Sequence, residues 1–204
     1  MSSFRRHLLM TNRKDEGGLP EQYQAVEYIG SNGKQYINTL VNGGSDITID
    51  IIFSDTNGGW MLGSQKSVND SRFVMFCNSN SYFAYKVNSN IGNNYVCDNV
   101  VQHHFILSNT KCVMDSYTYT FYSGKWADTL SLFLFAMNNN GTYQAGTSYK
   151  IHKCDIFSNN ALVRKFIPCY HKKSGEIGMY DTISGIFFTN RGVGTFNKGN
   201  DIKL

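Results

Sequence analysis

Hydrophobic residues recur with a period of two along much of the chain, which is typical of β-strands that bury one face. The alternation is clearest over residues 47–53, where Ile or Phe occupies every odd position. A meander with short alternating runs is predicted over residues 103–122. Residues 132–137 are apolar at every position, which predicts a strand covered on both faces. Beyond the first 18 residues nothing indicates a long helix, so we expect an all-β protein.

Turn residues divide these runs into about a dozen predicted strands. A first hairpin is predicted between Tyr23–Ile29 and Gln35–Thr39, across a Gly-Ser-Asn-Gly turn. A second hairpin is predicted between Tyr149–Phe157 and Ala161–Cys169, where Asn159 and its neighbours tolerate the positive φ of a tight turn. Two packed antiparallel sheets are the economical way to bury the apolar faces of so many short strands.

Six sequence motifs lie along the same stretches. They are L-P-x-x-Y-x-x-V-E-Y-I (Leu19–Ile29), Q-Y-I-x-T (Gln35–Thr39), F-A-x-N-x-x-G (Phe135–Gly141), K-I-x-x-C-x-I (Lys150–Ile156), L-V-R-x-F-I-P-C (Leu162–Cys169) and G-x-x-G-x-Y-D-x-x-S-G-x-F-F (Gly175–Phe188). From about Leu19 to Asn197 the chain therefore resembles the concanavalin A-like (laminin G-like) jelly-roll domains of structural proteins from tailed phages and prophages of gut bacteria.

This resemblance implies a two-sheet antiparallel jelly-roll sandwich over residues 19–204, preceded by a short arm over residues 1–18. It implies a virion protein made in the host cytoplasm: a head fibre, a capsid decoration or a tail module. The same fold also hosts lectins and glycosidases. The alternative is therefore a bacterial glycan-binding lectin or a degenerate glycosidase.

The net charge of +4 lies entirely in residues 1–14, which hold four basic residues and no acid. The remainder has 15 basic and 15 acidic side chains, so it has no surplus charge for a broad nucleic-acid surface. Apolar residues stand beside the arginines of the arm, which predicts an anchor to other virion proteins. The predicted anchor residues are Phe4, Arg5, Arg6, Leu8 and Leu9.

The five cysteines are an odd number without a C-x-x-C motif, and no stretch is apolar enough for a secretory leader or a membrane span. We therefore expect free thiols and no membrane contact. His152-x-Cys154 and Cys169-x-His171 could supply metal ligands. The predicted hairpin register, however, sets Cys154 opposite residue 165 and away from Cys169, which favours buried inert thiols over zinc.

Catalysis is not predicted. Retaining glycoside hydrolysis needs two carboxyl groups about 5 Å apart, and jelly-roll glucanases place them on one strand as E-x-D-x-E. This chain lacks that motif, and its acids are scattered singly. The adjacent His103 and His104 must point to opposite faces of a strand, so only one of them can be buried. No catalytic residue is assigned.

Carbohydrate binding is the best-supported chemistry, since sugar sites combine an aromatic platform with amides on loops. The predicted residues are Trp60, Asn138, Asn139, Asn140 and Tyr143. No cofactor or metal site is predicted; oxygens of Asp55, Asn57 and the same asparagines are the candidates if calcium binds. Because exposed aromatic surface favours self-association and weak glycan contacts gain from multiple copies, we expect a homo-oligomer, specifically a trimer.

Overall fold

The computed structural model describes residues 18–55, 58–67, 72–78, 81–86, 89–93, 102–120 and 124–204. These residues form nineteen strands and no helix. In this part of the chain, accordingly, no helix has the length and apolar character needed to cross a membrane. The all-β architecture predicted from the sequence is confirmed.

The strands follow one another in chain order. They are β1 (Tyr23–Ala25), β2 (Ile29–Asn32), β3 (Ile37–Gly44), β4 (Ile47–Ser54), β5 (Gly59–Gln65), β6 (Arg72–Asn78), β7 (Ser81–Lys86), β8 (Ser89–Asn93), β9 (His103–Leu107), β10 (Lys111–Met114), β11 (Tyr117–Thr120), β12 (Ala127–Leu134), β13 (Met137–Asn139), β14 (Thr142–Gln144), β15 (Ser148–Ser158), β16 (Ala161–His171), β17 (Ile177–Asp181), β18 (Ile186–Thr189) and β19 (Asn197–Lys198). The number exceeds the predicted dozen because bends and bulges divide several runs.

The strands form two sheets. Sheet one has the order β11-β10-β9-β4-β15-β16-β17-β18, with β2 pairing with β15 and β19, and β1 pairing with β16. Sheet two has the order β14-β13-β5-β6-β7-β8, with β12 joining β5 to β3. The predicted meander over β9, β10 and β11 is confirmed as antiparallel neighbours in sheet one.

One hydrophobic cluster draws on both sheets. Its members in sheet one include Ile49, Ile51 and Phe53, the odd positions of the alternating run, which are all fully buried. Sheet two contributes Leu62 and Phe73. Because each sheet buries a face in the same cluster, the period-two pattern is explained by a core common to both.

The predicted hairpin between β15 and β16 is confirmed at its tip. Asn159 and Asn160 have φ values of 49° and 64°, the left-handed conformation that the tight turn requires. Cys154 pairs with Phe166, close to the predicted partner. Farther from the turn the arms separate, since the start of β15 pairs with β2 and Cys169 of β16 pairs with β1.

The predicted first hairpin is wrong. β2 belongs to sheet one and β3 to sheet two, so the turn between them joins the sheets. Gln35, only 2% exposed, organises this crossing: its Oε1 accepts the Asn32 amide (2.9 Å) and its Nε2 donates to the Val193 carbonyl (2.7 Å). Because a side chain satisfies these backbone groups, the segment needs no strand partner there.

The apolar run 132–137 is buried throughout, as predicted, but it is not one strand. β12 ends at Leu134, the chain bends at Phe135 (φ 68°), and β13 begins at Met137. The polar stretch that follows contains a small hairpin, β13–β14, which turns at Asn140 and Gly141. Burial on both faces was predictable from composition, whereas the bend depends on contacts with other strands.

Candidate functional site

The three predicted asparagines lie in the β13–β14 hairpin beside β5. Asn138 is 4% exposed, and its amide donates to the Ser131 carbonyl (2.8 Å) while its Oδ1 accepts the Gly141 amide (2.9 Å). Asn139 accepts a long hydrogen bond from Gln65 (3.4 Å). Only Asn140, in the turn itself, is exposed. Asn138 therefore supports the hairpin and has little capacity left for a ligand.

The two predicted aromatic residues pack against different partners. The Tyr143 ring stacks on Tyr36 (centroids 4.9 Å apart), and its hydroxyl donates to the Gly33 carbonyl (2.7 Å). Partial burial raises the pKa of this hydroxyl. The Trp60 ring packs on Phe76 of the next strand (4.7 Å). Among the described residues, the two rings therefore pack on different aromatic side chains.

A different set of residues forms a cleft of about 640 Å³ at one end of sheet one. Three turns surround it: Ser45-Asp46 between β3 and β4, Ser108–Thr110 between β9 and β10, and Asn159-Asn160 between β15 and β16. We call it the three-turn cleft. Its floor is the outer face of the sheet, through the side chains of Thr48, Asp50, Ile106 and Phe157. None of the five residues predicted to bind sugar lines it.

Hydrogen bonds hold the three turns in place. Asp46 connects the first and third, since its Oδ2 accepts the hydroxyl of Ser158 (2.5 Å) and its carbonyl accepts the Asn159 amide (2.9 Å). The second turn is closed by the Ser108 amide, which donates to the Lys111 carbonyl (2.9 Å), and Asn109 donates to the Gly124 carbonyl (3.1 Å). The walls of the cleft are therefore formed before any ligand arrives.

Two carboxylates lie opposite one another on the same outer face. Asp50 of β4 pairs in register with Asp155 of β15. The Lys153 ammonium lies 2.9 Å from Asp155 Oδ2 and 3.7 Å from Asp50 Oδ1, and His104 Nε2 is 3.0 Å from Asp50 Oδ1. The expectation that the acids are scattered singly is wrong for this pair. The sequence predicted strands here but not that these strands are neighbours.

The predicted pattern at the adjacent histidines is confirmed, because His103 is buried and His104 is half-exposed on the opposite face. His103 Nδ1 lies 2.8 Å from Asp115 Oδ2, and the other oxygen of Asp115 accepts the His104 amide (2.8 Å). Asp115 has φ 51° and follows β10 directly. It therefore fixes the turn into β11 and the orientation of His103.

The cysteines of the possible zinc motif are buried and occupy different positions in sheet one. Cys154 lies between β4 and β16, whereas Cys169 lies between β1 and β17. Burial raises the pKa of the Cys169 thiol, and that of Cys112, to about 12, which makes both poor nucleophiles. Across the residues that the structure describes, no group of three or more His, Cys, Asp or Glu side chains could hold a metal ion.

The calcium candidates also lie apart or have other partners. Asp55 forms an ion pair with Lys150. The oxygen of Asn138 is occupied within its own hairpin, and Asn57 lies outside the described residues. The five predicted anchor residues, Phe4 to Leu9, likewise lie outside them.

His152, near the start of β15, contacts the segment before β2 and the last residue of β4. Its Nε2 is 2.9 Å from the Ser54 hydroxyl, and its Nδ1 is 3.1 Å from the Glu27 carbonyl. Burial, more than any other influence, lowers the pKa of the imidazole, and the nearby Lys150 ammonium lowers it further. The folded protein therefore favours the neutral ring.

We expect this histidine to make stability dependent on pH. Because its folded-state pKa lies below the ordinary value of 6.5, the unfolded chain takes up the proton first. The contribution of His152 to stability is complete above pH 6.5 and is lost as the pH falls from there through the lower folded-state pKa. Urea unfolding between pH 7.5 and about 5 should show a shallower loss for His152→Gln than for the natural protein.

The control is His171→Gln, which removes a half-buried histidine at the end of β16 whose ring contacts Ser174 and Tyr23. It shows whether a change in pH dependence is specific to His152 or follows from replacing any histidine. An identical pH slope for His152→Gln and the natural protein would show that protonation of His152 does not contribute.

Comparison with known proteins gives no identification. No family model matches the chain, and no curated protein matches it.

Proposed function

We propose that this protein is a non-enzymatic structural protein of a phage virion, such as a head fibre, a capsid decoration or a tail module. In this proposal residues 1–18 attach a jelly-roll body, and the body binds host or mucosal glycans. The observation that carries it is the division of charge: all of the net charge of +4 lies in residues 1–14, beside an apolar cluster, while the rest is neutral. Such a basic arm fits a local electrostatic attachment.

The pairing of the first strands supports a body that folds without the arm. β1 pairs with β16, and β2 pairs with both β15 and β19. The C-terminal segment closes over the same region, because Val26 pairs with Asp201 and the Ile202 amide donates to the Ala25 carbonyl (3.0 Å). The start of the body is thus paired with strands that themselves lie within residues 18–204.

Deletion of residues 1–18 tests the attachment. The truncated protein should remain folded, with an unchanged unfolding midpoint, but should no longer be incorporated into phage particles. Electron microscopy and protein quantification of purified particles would measure the copy number. Normal incorporation of the truncated protein would contradict the proposal, and a paired Arg5→Ala and Arg6→Ala variant in the full chain would show whether charge is required.

Light scattering on the same two proteins tests self-association. A trimer is expected, because three copies present their glycan sites together. A monomeric mass for both proteins at micromolar concentration would contradict the trimer. A trimer that requires residues 1–18 would place the interface in the arm.

The carboxylate pair Asp50 and Asp155 allows the non-enzymatic proposal to be tested against a glycosidase. A retaining glycosidase keeps one carboxyl group as an acid and leaves the other open to attack the sugar. Here the ammonium of Lys153 lies between Asp50 and Asp155, so the pair is arranged as an ion-pair network. No hydrolysis is therefore expected on a panel of polysaccharides. Turnover that disappears in Asp50→Asn or Asp155→Asn would contradict a non-enzymatic protein and favour a glycosidase.

The lectin alternative differs from the proposal in one observable. A bacterial lectin binds glycans but is absent from particles, whereas a virion protein appears in them at a fixed copy number. The measurement on purified particles therefore separates the two functions.

A further inference from the structure

We propose that the three-turn cleft is the glycan-binding site and that it takes uncharged oligosaccharides. This inference rests on the glycan-binding part of the proposed function. The glycan site predicted from the sequence lies in the β13–β14 hairpin on sheet two, whereas the site proposed here lies among the turns at the end of sheet one. Its volume of about 640 Å³ lies within the range of about 300–1,000 Å³ that is usual for small-molecule sites.

The first argument is the chemistry of the lining. The half-buried ring of Phe157 and the side chain of Ile106 give the floor an apolar surface on which the C–H face of a pyranose can pack. The turns add amides and hydroxyls around that surface. A sugar ring presents the same combination, with apolar C–H groups on its face and hydroxyls at its edge.

The second argument is that several polar groups of the lining remain available. Among the described residues, the side chains of Thr48, Lys111 and Asn160 have no hydrogen-bond or ion-pair partner. They supply a hydroxyl, an ammonium group and an amide, so both donors and acceptors are offered. By contrast, Asn138 in the hairpin of sheet two has both of its polar atoms occupied.

The third argument concerns charge. The residues that line the cleft include the carboxylates of Asp46 and Asp50 and one ammonium group, that of Lys111. The ammonium of Lys153 does not line the cleft and is shared between Asp50 and Asp155, so acidic groups still outnumber basic ones there. Carboxylates accept hydrogen bonds from sugar hydroxyls, but they repel the carboxylate of a sialic acid and the sulfate of a sulfated sugar. The lining therefore favours neutral glycans over their acidic derivatives.

Two asparagines provide a matched pair of variants. Asn160 and Asn140 both occupy exposed turn positions with positive φ (64° and 50°), so glycine fits either position without strain. Asn160→Gly removes an amide from the three-turn cleft, and Asn140→Gly removes one from the hairpin predicted by the sequence. Thr48→Val removes the hydroxyl from the floor while keeping the shape and the strand preference.

The experiment measures binding of the full chain to lactose, N-acetyllactosamine, chitotriose, maltotriose and mannotriose, with sialyllactose as the acidic match to lactose. Saturation-transfer NMR detects weak binding, and titration gives the affinity. At least one neutral sugar should bind, and Asn160→Gly and Thr48→Val should each weaken it about five- to tenfold, as expected for one lost hydrogen bond. Asn140→Gly should bind normally, and sialyllactose should bind more weakly than lactose.

Three results would overturn the proposal. They are the absence of binding by all five neutral sugars at millimolar concentration, loss of binding in Asn140→Gly but not in the cleft variants, and tighter binding of sialyllactose than of lactose. The unfolding midpoints of the variants confirm that each is folded. Failure here is distinct from failure of the proposed function, because incorporation into particles is measured separately and does not depend on sugar binding.

Discussion

Replacing Asp181 with alanine is expected to destabilise the protein by about 3–5 kcal/mol, the usual cost of removing one partner from a buried ion pair. Asp181 is fully buried at the end of β17. Its Oδ1 accepts the amides of Lys165 (2.7 Å) and Ile183 (3.2 Å), and its Oδ2 accepts the amide and the hydroxyl of Ser184 (3.1 and 2.5 Å). Arg164 Nε lies 3.6 Å from Oδ2.

Alanine would leave three backbone amides and the largely buried guanidinium of Arg164 without this acceptor, in a place that water reaches poorly. Since whole domains are stable by only about 5–15 kcal/mol, the loss should be visible as a large shift of the urea midpoint. Asp181→Asn, which keeps one acceptor oxygen, should lie between alanine and the natural residue. The control is Glu176→Ala, in the exposed turn before β17, which should unfold like the natural protein. An unchanged urea midpoint for Asp181→Ala would contradict the predicted role of Asp181.

Tyr149→Phe is expected to cost about 2–4 kcal/mol although it removes a single oxygen atom. The hydroxyl is buried between the two sheets, where it donates to the Met61 carbonyl (2.6 Å) and accepts the Phe135 amide (3.0 Å). Met61 lies at a bulge, where the pairing of β5 with β6 shifts between Trp60 and Leu62. The hydroxyl of Tyr149 thus serves two backbone groups at irregular points of sheet two.

Phenylalanine keeps the ring and its contact with Phe135 (centroids 4.7 Å apart), so any loss of stability reports the hydrogen bonds and not the packing. The matched control is Tyr170→Phe, because the Tyr170 hydroxyl contacts Asp201 at the surface and water can replace it. Thermal and urea unfolding of both variants would measure the difference. Equal stability of the two variants would mean that the interior hydroxyl contributes no more than the surface one.

Local patterns predicted the elements of this fold well where a strand is regular. The alternation over residues 47–53 predicted β4 and its buried face, and the asparagines after residue 158 predicted the β15–β16 turn. These features depend on neighbours in sequence: side chains alternate across a strand, and Asn adopts positive φ more readily than most residues. The same patterns failed at Phe135, where a buried apolar residue takes a left-handed conformation that its type does not favour.

The sites were harder to predict because each depends on which strands are neighbours. Asp50 and Asp155 each follow an alternating pattern that sends them outward, but only the pairing of β4 with β15 makes them partners. The three-turn cleft likewise joins turns that precede β4, follow β9 and follow β15. The aromatic and amide pattern at residues 138–143 was visible in the sequence. In the structure, however, the side chains of Asn138 and Tyr143 form hydrogen bonds with backbone groups of the protein and are not free for a ligand.

The sequence by itself determined three properties of this chain. It is an all-β protein, its two long runs pair as the β15–β16 hairpin, and its net charge lies in the first fourteen residues. Those properties follow from composition and from periodicity within a few residues. The tertiary structure alone decided that β2 and β3 belong to different sheets, that Asp50 faces Asp155, and that three distant turns form one cleft. Such relations arise because burial of a shared core selects one strand order among many that local preferences allow equally.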